Sequence, residues 1–286
     1  MDQRIIDLYD AFTHGALDRR GFMERLSKLA GGSAAALALV PLLKANKAAA
    51  AIVDPADDRL AISSMSFAGA GGEVRAYAAK PKGGQGLPAV VVIHENRGLN
   101  PHIEDVARRL GLAGFLAVAP DFLSPAGGTP ADEDKAREMI GALDPQQTVA
   151  NAKAAVAAAR AHADGNGKVG AVGFCWGGGV IGQLAVADPT LDAAVVFYGR
   201  TPDPAEVAKI EAPLLLHYAG LDERINAGVP AFQEALDKAG KDYTLYMYDG
   251  ANHAFHNDTS AARYDKAAAE LAWSRTTEFF RQRLAG

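Results

Sequence analysis

The single cysteine of this 286-residue chain lies in Gly173-Phe174-Cys175-Trp176-Gly177, where an apolar run, Val169–Phe174, gives way to Gly177-Gly178-Gly179. A Gly-x-Cys-x-Gly at a strand-to-helix turn has the layout of a nucleophile elbow, with a thiol where a hydroxyl more often stands. Such a turn is tight and strained, so the positions two before and two after the nucleophile must lack side chains. It aims the N–H of the next residue, here Trp176, at the oxyanion that forms when a carbonyl is attacked. A helix N-terminus also favours the thiolate. The competing reading is a buried structural cysteine in a glycine-rich turn.

Two further residues follow in the order nucleophile, acid, base. The apolar run LLLHYAGLD (214–222) ends in Gly-x-Asp and puts Asp222 at the carboxyl edge of a sheet. The segment YDGANHAF (248–255) places His253 in a loop after the last strand. His253 is then the base that takes the thiol proton and later serves the leaving group, with Asp222 orienting its ring. After the apolar run Ala89–Ile93 comes His94-Glu95-Asn96-Arg97-Gly98, where Asn96 is placed to give the second oxyanion N–H. Glu95 has two readings: a carboxylate that holds the thiol protonated until substrate arrives, or a surface acid paired with Arg97. No metal or cofactor is expected. The histidines form no His-x-x-x-His pair, His253-Ala254-Phe255-His256 lacks partner ligands nearby in sequence, and the glycine runs match no nucleotide fingerprint. The aromatics from Trp273 to Phe280 read as core.

The elements that must position these residues read as an α/β domain over 60–286, with a mostly parallel central sheet and helices on both faces. Met65–Phe67 and Val74–Ala79 flank Gly69-Ala70-Gly71-Gly72 and predict an antiparallel hairpin. Continuous apolar runs predict buried strands at Ala89–Ile93, Phe115–Ala119, Val169–Phe174, Ala193–Phe197, Leu214–Tyr218 and Tyr243–Met247. Helical patterns alternate with them at Ile103–Leu112, Gln146–Ala163, Gly177–Ala187, Val229–Ala239 and Ala261–Arg283. Pro125–Asp134 reads as one long polar loop, of the kind that rims a site.

With 49% hydrophobic and 22% charged residues the composition is that of a globular protein. A net charge of −5 gives no basic excess for nucleic acid, and one cysteine excludes an internal disulfide. Residues 1–51 differ from the rest. Asp18-Arg19-Arg20-Gly21-Phe22-Met23, the uncharged stretch Leu29–Leu43 and Ala48-Ala49-Ala50-Ala51 have the layout of a twin-arginine signal with its cleavage site, which predicts export to the periplasm. The uncharged stretch is shorter than the ~20 residues of a spanning helix and holds Gly31, Gly32 and Pro41, so no stable membrane span is expected. The alternative is a cytoplasmic protein that keeps these residues as helices packed on the domain or on a partner subunit. A homodimer is left open.

HENRG (94–98), APDFL (119–123), GFCWGG (173–178), GLDE (220–223) and NHAF (252–255) together resemble the dienelactone hydrolases, or carboxymethylenebutenolidases, of the α/β-hydrolase superfamily. The resemblance covers roughly 60–286. It implies an α/β-hydrolase fold, a Cys175-His253-Asp222 triad, a thiol contact from Glu95, and cofactor-free hydrolysis of a small ester or lactone. Two arginines that bind the substrate carboxylate in that family are missing, since Ser124-Pro125 and His256-Asn257 stand in their places. Arg97, Arg200 and the neighbouring Tyr198 are the substitutes that loop position suggests. The other readings are a non-catalytic binding member of the fold, an acyltransferase or a thiol peroxidase.

Overall fold

The structure, a computed structural model, describes residues 1–44 and 52–286. The alanine run at 48–51, expected as a cleavage site, lies outside the described residues. The hairpin is formed by β1 (Leu60–Gly69) and β2 (Gly72–Pro81), paired antiparallel along their whole length. Six strands follow: β3 (Leu87–Ile93), β4 (Leu116–Pro120), β5 (Gly165–Phe174), β6 (Ala193–Phe197), β7 (Leu214–Ala219) and β8 (Tyr243–Tyr248). The sheet order is β1-β2-β4-β3-β5-β6-β7-β8. β2 joins β4 antiparallel, and every pairing from β4 to β8 is parallel.

The apolar runs are continuous because both faces of the sheet are covered. In β3, Val91 and Ile93 enter one core while Val90 and Val92 enter the other. The first core is closed by α6 (Pro145–Arg160), α7 (Trp176–Ala187) and α9 (Val229–Lys238). The second is closed by α4 (Pro101–Leu112) and α10 (Lys266–Leu284), and Trp273 and Phe280 pack there as expected of core aromatics.

Three helices precede the sheet: α1 (Gln3–Thr13), α2 (Arg19–Ala30) and α3 (Ser33–Leu43). Ile5, Leu8, Tyr9, Phe12, Phe22, Leu26, Ala36 and Leu43 form a separate small core, with Phe12 stacked on Phe22 at 4.6 Å. Among the described residues no single helix is long and apolar enough to cross a membrane. α2 and α3 qualify only as a pair, and they are bent by 110° at Gly31-Gly32.

The polar loop is shorter than the sequence suggests. Asp132 accepts hydrogen bonds from the N–H groups of Asp134 and Lys135 and starts α5 (Glu133–Gly141). A short α8 (Glu223–Asn226) was also unforeseen, and Asp222 caps it through the Ile225 N–H. Capping by a short acid at the first turn is the physical reason for both.

Candidate active site

Cys175 follows β5 and caps α7 with φ 54° and ψ −113°, a left-handed conformation that L-residues avoid. A Cβ on Gly173 would meet the Gly177 carbonyl oxygen at 2.2 Å, and one on Gly177 would meet the His94 oxygen at 2.4 Å. The two glycines therefore let strand, helix and the β3 loop approach. Two other non-glycine residues with positive φ among the described residues are Tyr198 and Ala254. Tyr198 has its ring 5.0 Å from that of His253, and Ala254 follows His253 directly. Strain of about 1–3 kcal/mol per such residue thus gathers around one sulfur.

Asp222 follows β7 and His253 follows β8, and the sheet brings their loops together. His253 Nδ1 lies 2.5 Å from Asp222 Oδ2, and both side chains are buried. The sheet thus brings Cys175, Asp222 and His253 to one edge. A second pair arrives from the N-terminal segment. His14, at the end of α1, puts its Nε2 3.2 Å from Cys175 Sγ, while its Nδ1 lies 2.8 Å from the Asp10 carbonyl oxygen and 3.2 Å from Asp10 Oδ1. The His14 and His253 rings meet edge to face at 4.7 Å.

Burial opposes charge on the thiol, but the imidazoles of His253 and His14 outweigh it and draw the Cys175 pKa from 9.0 to about 6. At pH 7 the sulfur is therefore mostly thiolate. Burial equally opposes a positive ring on His253, yet Asp10, Cys175 and Asp222 hold it well above the ordinary histidine value. His14 is raised as well, against burial, by the Cys175 and Asp10 charges. The arrangement sets a buried sulfur between two imidazole rings, His253 backed by the Asp222 carboxylate and His14 by the carbonyl and carboxylate of Asp10.

Glu95 is on the wall of the same cavity, but its Oε2 accepts a 2.7 Å hydrogen bond from Asn257 Nδ2, and the sulfur is bonded by His14 instead. Asn257 stands where an arginine was expected, so that position now holds Glu95. Asn96 donates from Nδ2 to the Thr13 carbonyl oxygen at 2.9 Å, gripping the end of α1. Trp176 is the first residue of α7, where a helix N–H has no intrahelical partner. Its ring stacks on His94 at 5.2 Å.

The alternative reading of Glu95, an ion pair with Arg97, is not what forms. Arg97 lines the cavity but donates to Glu133 at 2.5 Å and to the Tyr9 hydroxyl at 2.9 Å. Tyr198 is fully buried behind His253 and is not among the residues on the cavity wall. Arg200 lies away from Cys175 altogether. The backbone of Gly199 packs on Gly178, which leads the chain over α7 and puts Arg200 in a second cavity with Gly182, Pro202 and Phe232.

Sequence reasoning missed Asp10, His14 and Arg263. Arg263 is buried on the cavity wall, its Nε 3.1 Å from Ser260 Oγ and its Nη1 3.7 Å from Asp10 Oδ1. The one local signal for the first two was an Asp and a His four residues apart on a helix. With α1 in place the cavity beside the sulfur measures about 20 Å³, room for one water.

A family model described as the dienelactone hydrolase family matches residues 74–284, and one described as YqhI-like matches residues 1–31. A Saccharolobus solfataricus protein named as a candidate carboxymethylenebutenolidase is 37% identical over 248 residues, covering 74% of this chain and 95% of its own. An Escherichia coli protein of the same name is 34% identical over 254 residues, 83% of this chain and 93% of its own. Among solved structures, a candidate dienelactone hydrolase from Klebsiella pneumoniae superposes with a TM-score of 0.69 at 29% identity, covering 78% of this chain and 99% of that one.

Proposed function

The chain belongs to the dienelactone hydrolase family, and from that premise we propose that it hydrolyses esters or lactones through Cys175, with His253 and Asp222 completing a triad. The observation that carries this reading is the Asp222–His253 pair beside an elbow cysteine whose thiol is brought to about 6. The thiolate attacks the carbonyl carbon, forming a C–S bond and an oxyanion held by the N–H groups of Trp176 and Asn96. His253 protonates the leaving alkoxide, which in a lactone stays on the same molecule. The ring then takes a proton from water, the hydroxide attacks the thioester, and the thiolate departs. Glu95 and Asn257 line the approach. Hydrolysis of p-nitrophenyl acetate is expected, and it is expected to vanish in Cys175→Ala. Equal turnover by that variant would defeat the proposal.

A cavity of about 20 Å³ cannot hold a lactone, so His14 and the end of α1 must move aside for substrate. When they do, Arg97 loses Tyr9 but keeps Glu133, while Arg263 loses Asp10 and becomes the wall cation open to an acidic substrate group. Arg263→Ala is then expected to raise KM for a carboxylated ester and not for a neutral one. Equal effects on both substrates would remove this role. The same segment carries Arg19-Arg20 at the start of α2, and we propose that it directs export to the periplasm, its removal uncovering Cys175. The intact mass of the protein from its native cell tests this: retention of residues 1–51 contradicts it.

A further inference from the structure

Two histidines and one cysteine converge here from three distant parts of the chain. One ring nitrogen from each of His14 and His253 and the Cys175 sulfur lie within 4.8 Å of one another. Both rings are oriented in the same way. The Nδ1 of His14 is held by Asp10 and the Nδ1 of His253 by Asp222. That leaves Nε2 of each ring as its free donor atom. His14 directs this atom at the sulfur, 3.2 Å away. His253 is 95% buried and its Nε2 has no hydrogen-bond partner.

A carboxylate or backbone carbonyl behind each ligating histidine is the usual outer arrangement of a zinc site, because it fixes the tautomer and raises the basicity of the ligating nitrogen. His14 has the Asp10 carbonyl at 2.8 Å with the carboxylate at 3.2 Å, and His253 has the Asp222 carboxylate. A thiolate with two imidazoles is a donor set that suits Zn²⁺ and its neighbours rather than Mg²⁺ or Ca²⁺. In a tetrahedral site with Zn–S of about 2.3 Å and Zn–N of about 2.0–2.1 Å, the ligand atoms stand roughly 3.3–3.6 Å apart. His14 Nε2 already stands 3.2 Å from the sulfur, and all three donor atoms lie within 4.8 Å of one another. The space beside the sulfur fits one water as the fourth ligand.

We propose that, in the full-length chain that still carries residues 1–51, Cys175, His14 and His253 form a site for a divalent transition metal, Zn²⁺ above all, with Asp10 and Asp222 as the outer partners of the two rings. Binding releases protons from the rings and ties up the thiolate, so the metal-bound form is closed to substrate. Metal binding is read without turnover, so it stands or falls separately from the hydrolytic reading.

The test uses the full-length chain stripped with a chelator and titrated with Co²⁺ as a spectroscopic stand-in, then with Zn²⁺ by calorimetry. One metal per chain is expected, with a thiolate-to-cobalt charge-transfer band that is absent in Cys175→Ser. Asp10→Asn, which keeps the ligands, is expected to weaken binding about 10–100-fold, and His14→Asn by more. Absence of binding by the wild-type chain overturns the proposal. So does a band that survives Cys175→Ser, or an affinity unchanged in both His14→Asn and Asp10→Asn.

Discussion

His14 Nε2 stands 3.2 Å from Cys175 Sγ, although 161 residues separate them in the chain. The family model for the hydrolase domain covers residues 74–284, so this histidine comes from outside it. Two Asp–His pairs therefore face one sulfur. Asp222–His253 is built into the sheet edge, and Asp10–His14 is carried on a helix that also closes the cavity.

Weakening the attachment of α1 should raise activity. Phe12 stacks on Phe22 and lies under the Arg137 guanidinium at 4.4 Å. Phe12→Ala removes a buried aromatic ring worth about 3–5 kcal/mol. An increase in kcat/KM on bulky p-nitrophenyl esters is expected, together with faster amide exchange in α1. Faster exchange with unchanged activity would show that α1 does not limit access.

The thiolate should form at an acidic pH. With a folded pKa of about 6, the protonated fraction dominates below that value and the thiolate above it. Far-ultraviolet thiolate absorbance, taken as wild type minus Cys175→Ser, is expected to rise with a midpoint near pH 6. In His14→Ala the midpoint moves upward, since one of the two positive rings is gone. A wild-type midpoint in the ordinary thiol range contradicts the charge arrangement described.

Asp222→Asn keeps the shape of the side chain but loses the charge behind His253. A fall in kcat of roughly 10³–10⁴-fold is expected, because the wrong tautomer is then held. Steady-state kinetics that show only a KM effect would assign Asp222 to capping α8 alone.

The sheet and the elbow were legible because their causes are local. Continuous apolar runs such as Ala89–Ile93 mark strands covered on both faces, and Gly173 and Gly177 mark a turn that tolerates no Cβ. Asp222 and His253 were legible from their places after strands. His14 was not. It sits in a segment whose arginine pair and apolar stretch read as an address, and nothing in local spacing ties it to a cysteine 161 residues on. Arg200 misled for a related reason. Its loop starts at the correct sheet edge, but Gly199 packs on Gly178 and turns the chain away. Arg97 was on the wall as expected, yet its partners, Glu133 and Tyr9, come from two other elements.

The elbow glycines should be the least replaceable. Gly173→Ala places a Cβ 2.2 Å from the Gly177 oxygen, a backbone atom that cannot yield without moving α7. A loss of about 1–3 kcal/mol or more is expected in thermal or denaturant melts. Gly141→Ala, at the end of α5, meets nothing within 4 Å and should cost no stability. Equal melting behaviour of the two variants would refute the close-approach argument.

The central claim is that Cys175 carries the acyl group. The most direct measurement is the intact mass and peptide map of the protein quenched during turnover of p-nitrophenyl acetate, with His253→Ala used to slow deacylation. The account predicts one added acetyl group, located on Cys175 and absent from Cys175→Ser. Turnover by the wild type with no acetyl on Cys175, and an unmodified cysteine in the His253→Ala protein, would contradict it.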